Sequence, residues 1–329
     1  MKRLLIIYAL IMKYCLLIFM CFSLINCSSK SSVEKKIAAI PIEVEIIRFD
    51  KEFAKATRSN LKVLKAKYPI FFPAQFPDSI WTLKVNDKYQ QLLNTEVIKK
   101  FPTEEKFEAE LHSIFQHIKY YFPKFVPPMV VTATSDVDYQ NKIIISDSLL
   151  IISVDTYLGS GHDFYGGIKK YISQNLNESQ IGPDIASAYA NQLIVKPKQR
   201  SLLAQMVFYG KELYLKDLWL PNSSDAEKIG YTEAQLSWAR ENESEMWRYF
   251  VEKEILFSTN IKLPAQFINP APFSKFYLEI DNESPGMVGR FLGWQIVKSY
   301  MKNNESSVQQ LMIKNAEALF NESKYKPLK

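Results

Sequence analysis

The chain has 329 residues, 47% hydrophobic and 23% charged, with a formal net charge of +6 at pH 7. These proportions exclude a disordered chain, and the length suits one large domain or two moderate ones. The charge belongs mainly to the start: without Lys2, Arg3 and Lys13, 38 basic residues face 35 acidic ones. With no Lys/Arg run interleaved with aromatics, that balance argues against a nucleic-acid partner.

All three cysteines, Cys15, Cys21 and Cys27, lie in residues 1–27. The body therefore has neither a disulfide framework nor a thiolate metal site. The first 27 residues run from a basic start through an apolar stretch to small polar residues, as a secretory signal does. Either Met1 or Met12 could initiate it; from Met12, Lys13 becomes the basic start and 15–25 the apolar core. Leu24-Ile25-Asn26-Cys27 resembles the bacterial lipobox, with Asn26 where Gly, Ala or Ser is usual. That resemblance implies a lipid on Cys27, the one covalent group expected, and no other cofactor. The alternative is an uncleaved membrane helix over 4–25, long enough to span. Residues 28–40, opening Ser-Ser-Lys-Ser-Ser, read as a flexible tether. No acidic cluster follows Cys27, so the expected location is the cell envelope, lipid-anchored to the membrane and facing the periplasm.

The body, 41–329, reads as one globular domain. Residues 44–49 predict a strand by alternation and β-branching. Helical patterns follow over 51–67 and 86–100, broken at Pro69 and Pro73. Thr103 predicts an N-cap, with Glu104 and Glu105 favourably placed in the first turn. The helix it opens runs to Tyr121 and places Phe107, Leu111, Ile114, Phe115 and Ile118 on one face. Strands are expected at 129–133 and 142–152. Beyond Pro183 helices dominate: 184–193, 201–217, a long one from an N-cap at Thr232 to about Phe257, and one opened by Ser284-Pro285. That last helix carries Gly286, Gly289 and Gly293, a smooth groove for close backbone approach. The fold class is α+β, predominantly helical, a small sheet with helices packed on it.

Chemistry is sparse. His112 and His117, five apart, diverge on a helix, and neither has a Glu at metalloprotease spacing; His162 falls in a loop. Serine-hydrolase, P-loop and dinucleotide fingerprints are absent. No catalytic, cofactor-binding or metal residue is assigned. One residue breaks an apolar face: Glu243, among Leu236, Ala239, Met246, Trp247 and Phe250. A carboxylate there must be paired or protonated. It marks a polar site inside the fold, or else a structural ion pair or a flanking exposed Glu.

Trp238-x-x-x-Asn242-Glu243-x-x-x-Trp247, Pro270-Ala271-Pro272-Phe273-Ser274-Lys275-Phe276, Ser284-Pro285-Gly286 running on to Gly293-Trp294, and Ser323-Lys324-Tyr325-Lys326-Pro327 carry a resemblance. The chain resembles the gliding motility lipoprotein GldB family over essentially its whole length. The resemblance implies an envelope lipoprotein of gliding bacteria whose motility is tied to type IX secretion, with other gliding-machinery proteins and the bilayer as partners. It also implies distant similarity to zinc proteases with an HExxH helix, and so a degenerate zincin-like fold. The corresponding helix, 184–189, has no histidine, and the later protease helix becomes Phe208-Tyr209-Gly210-Lys211. A non-enzymatic structural or interaction subunit follows, its partner surface sought around Pro270 to Gly293 and its polar or partner site at Glu243, Asp281, Glu283 and Arg290. The alternatives are an envelope hydrolase using Glu243 with Asp281 or Glu283, and a peptide- or glycan-binding module reusing the old cleft.

Overall fold

A computed structural model describes residues 32–146, 148–278 and 281–327, apart from the side chain of Lys106. The signal, the lipobox and Cys27 lie outside the described residues. So does the alternative membrane helix over 4–25; among the described residues no helix is long and apolar enough to cross a membrane.

The chain divides into two compact units, 1–41 and 42–329. In the first, the expected tether is not wholly irregular: Ser32–Ala38 is a helix. Glu34 in its first turn and Lys35 and Lys36 in its last complement the helix dipole. Val33 and Ile37, four apart, share one of its faces.

In the second unit, four strands form one mixed sheet in the order β1-β2-β4-β3. Here β1 is Ile46–Arg48, β2 Met129–Ala133, β3 Ile143–Ile145 and β4 Leu149–Ser153. β1 runs parallel to β2 and β2 to β4, with Ile47 opposite Val131 and Val131 opposite Ile151; β3 closes the edge antiparallel to β4. Successive side chains on a strand point to opposite faces. Val130 and Val131 are both buried, so β2 is covered on both sides. Against one of them Phe49, Phe53, Leu61, Leu64 and Phe72 form a core cluster with Val131. β1 is pinned by a buried pair: Arg48 donates through Nε and Nη2 to Asp50 at 2.9 and 2.7 Å, and to the carbonyls of Phe101 and Thr103.

Several expected elements differ in detail. The 51–67 pattern is two helices, Phe49–Ala54 and Leu61–Lys67, separated where Thr57 and Asn60 hydrogen-bond each other. The 142–152 run is a hairpin, because Ser146 and Ser148 favour a turn between two aliphatic runs; Ser146 N–H closes on the Leu149 carbonyl. Glu104 rather than Thr103 caps helix Glu105–Tyr121, without a side-chain bond, while the five apolar residues expected on its inner face are all buried.

The helical part is organised around Leu202–Trp219, which packs along Val288–Asn303 and also meets Ile181–Leu193 and Ala316–Ser323. Glycine sets the first of these contacts. A Cβ at Gly293 would collide with the Met206 carbonyl, and one at Gly210 with the Gly293 carbonyl. Main chain touches main chain there, and Trp219 and Trp294 are fully buried on the same two helices. Helix Val288–Asn303 starts three residues later than Ser284-Pro285 suggested. Ser284 Oγ is occupied with the carbonyls of Ser274 and Asp281, and the helix opens from Met287 at φ 61°. Thr232 is the N-cap expected of it, completing a capping box with Gln235. The long helix after it breaks at Asn242 into Glu233–Glu241 and Glu243–Glu252.

Candidate functional site

A pocket of about 300 Å³ opens where helices Ile181–Leu193 and Leu202–Trp219 face the turns around Pro270 and Gly286. Its wall is charged. Helix Ile181–Leu193 buries Ile185, Ala186 and Tyr189 and leaves Asp184 and Ser187 facing the opening. Asp184 receives the Lys142 ammonium, just before β3, and accepts the Tyr157 hydroxyl at 2.9 Å. Burial, reinforced by that carboxylate, holds the Tyr157 hydroxyl protonated far above the usual phenol range.

Glu212, buried on helix Leu202–Trp219, is the centre of the opposite wall. Ser187 Oγ donates to its Oε1 at 2.7 Å and Asn191 Nδ2 to its Oε2 at 3.4 Å. Lys216, one turn on, places its ammonium 3.5 Å from Oε1 and donates to the Lys228 carbonyl at 2.8 Å. Burial lowers the proton affinity of Lys216; Glu212 and Asp184 oppose that, and Arg290 adds to it. Arg290 donates through Nε to the Ile268 carbonyl at 2.7 Å, and its guanidinium lies 3.8 Å from the centre of the Tyr209 ring.

Ser187 and Asn191 are four apart on one helix face, the spacing at which an HExxH helix presents two histidines. Both donate to Glu212, so the three form a hydrogen-bonded cluster. Catalytic zinc takes three strong donors and keeps an open position. A hydroxyl and an amide are weak donors, and the ammonium bound at Glu212 Oε1 repels a cation. The residues present therefore do not fit zinc. Among the described residues no three His, Cys, Asp or Glu side chains converge on one point. The histidines lie elsewhere: His117 donates Nδ1–H to the Ser113 carbonyl, and His162 Nδ1 accepts from Phe164 N–H.

The sequence profile described as "Gliding motility protein GldB" matches residues 30–327. The chain belongs to the GldB family. Searches of the curated proteins and of the solved structures returned no match.

The candidate residues read from this GldB sequence do not come together. Glu243 is 2% exposed and accepts the Tyr325 hydroxyl at 2.7 Å, which ties helix Glu243–Glu252 to the C-terminal segment. Asp281 accepts backbone N–H groups from Phe276, Tyr277 and Leu278, tying off that loop. Glu283 is exposed. Arg290 alone lines the pocket, with Pro270, Ala271 and Gly286 from the segment expected to hold a partner surface. Lys142, Glu212 and Lys216 were missed. Lys211, Glu212 and Lys216 interrupt an almost wholly apolar helix, the same signal that singled out Glu243.

Proposed function

We propose that this GldB-family protein is a lipid-anchored envelope component of the gliding machinery, linked to type IX secretion, that acts by binding rather than by catalysis. Family membership supports gliding. The observation that carries the non-catalytic reading is the Lys216 ammonium at Glu212, where a zinc peptidase would need bare ligands. A degenerate zincin-like fold is consistent with the layout: antiparallel edge strand β3 packs beside helix Ile181–Leu193, and helix Leu202–Trp219 follows. The bilayer, through Cys27, and other gliding-machinery envelope proteins, on its periplasmic side, are the proposed partners.

Metal analysis of the detergent-extracted full chain, together with gliding of cells carrying Glu212→Gln, tests the non-catalytic role. The expected results are substoichiometric zinc and continued gliding. One zinc per chain, lost together with gliding in the variant, would overturn it. Labelled palmitate should enter the protein and be lost in Cys27→Ala; label persisting in that variant would refute the anchor.

A second reading, a peptide- or glycan-binding module, is favoured by one observation: the pocket is open and its charges are not all matched.

A further inference from the structure

We propose that the pocket between helices Ile181–Leu193 and Leu202–Trp219 binds a small oxyanion, a carboxylate or phosphate group, between Arg290 and Lys216. Four cationic side chains line it, Lys142, Lys216, Lys228 and Arg290, against two carboxylates, Asp184 and Glu212. Lys142 is taken by Asp184, Lys216 by Glu212, and Lys228 by Asp217, 3.1 Å away. Arg290 is left over. No carboxylate among the described residues pairs with it, and its only hydrogen bond there uses Nε. The two Nη groups are free to form the parallel fork that carboxylate and phosphate accept.

The fork is also held in place. Nε is bonded to the Ile268 carbonyl and the guanidinium carbon sits over the Tyr209 ring. A group fixed on both sides loses little freedom when it binds, which favours affinity. Both cations line the same pocket and the Arg290 charge disfavours the Lys216 ammonium, so an anion seated beside both removes a repulsion as well as gaining two bonds. The amide side chains nearby do not compete for this role: Gln174 and Asn175 both donate to the Gly230 carbonyl. At about 300 Å³ the pocket is at the small end for ligand sites, which suits a single acidic group or the end of a chain. This inference rests on the pocket alone, so its failure would leave the gliding role untouched.

The test is a titration of the full chain in detergent, carrying ¹³C-methyl methionine, with acetate, inorganic phosphate and sodium chloride at matched ionic strength. Met287 lines the pocket and Met129 lies away from it on β2. The expected result is a saturable shift of the Met287 methyl with acetate or phosphate, no shift with chloride, and a still Met129. Which of the two anions binds more tightly identifies the source chemistry. Arg290→Gln should weaken that binding tenfold or more, and Arg290→Lys, which keeps the charge without the fork, several-fold. Two results would overturn the site: a Met287 methyl in the native chain that responds no more to either anion than to chloride, or a folded Arg290→Gln that binds as the native chain does. The native titration needs no variant to fold.

Discussion

Glu110 gives the sharpest quantitative expectation. It lies on helix Glu105–Tyr121 and accepts the backbone N–H of Gly182 in the first turn of helix Ile181–Leu193. Burial pushes its carboxyl from the usual 4.5 up to about 7; the Gly182 bond opposes that, and Glu178 and Glu227 add to it. The native state thus holds this proton more tightly than the unfolded chain does. Below about pH 4.5 both states are protonated and the residue carries no penalty. As the pH rises towards 7 the unfolded chain ionises first, so stability falls and then levels off, having lost up to about 3 kcal/mol. Glu110→Gln keeps an acceptor for Gly182 and cannot ionise. In urea unfolding followed by tryptophan fluorescence, the variant should match the native chain near pH 4 and exceed it by up to about 3 kcal/mol at pH 8. A stability difference that stays flat between those two pH values would mean that Glu110 ionises in the fold as readily as in water.

Other perturbations are equally direct. Gly293→Ala drives a methyl into the Met206 carbonyl and should cost about 1–3 kcal/mol, more if the helices cannot shift; an unchanged urea midpoint would contradict that close approach. Tyr325→Phe removes the hydroxyl that donates to buried Glu243 and should cost about 1–3 kcal/mol. Glu243→Gln, which keeps an acceptor, should be much milder in the same unfolding assay, and cells carrying it should still glide. Asp155 accepts backbone N–H groups from Ser135 and Val137 and holds Val137 at φ 60°, a conformation unusual for a β-branched residue. Asp155→Asn, with one acceptor oxygen fewer, should cost about 1–3 kcal/mol and speed amide exchange at Val137. Exchange at the native rate would show the loop to be held by something else.

Periodicity carried the fold wherever one element buries one face. The stripe from Phe107 to Ile118 could be read directly, because burial on a helix repeats at a fixed interval; Met129–Ala133, covered on both sides, was legible from its β-branched density instead. It failed where a break leaves the pattern intact. Asn242 interrupts the helix after Thr232, yet Ala239 and Met246 stay buried on either side of it, so the apolar spacing looks continuous. Ser284 looked like a cap in sequence, but its hydroxyl is used inside its own loop. The same division holds for polar groups. Glu243 was legible as a buried acid from its neighbours, whereas its partner Tyr325, 82 residues on, is fixed only by the tertiary structure. The pocket was less legible still, since Lys142, Glu212 and Arg290 come from three separate parts of the chain.

The Gly210–Gly293 contact bears on that pocket from a distance. Lys216 and Arg290 ride on these two helices, each within two turns of the crossing. Their separation is therefore governed by a joint with no moving part: no rotamer change at the crossing can widen or narrow it. A ligand that fits would meet a seat already set to its size, and a methyl added at either glycine would respace the seat without touching it.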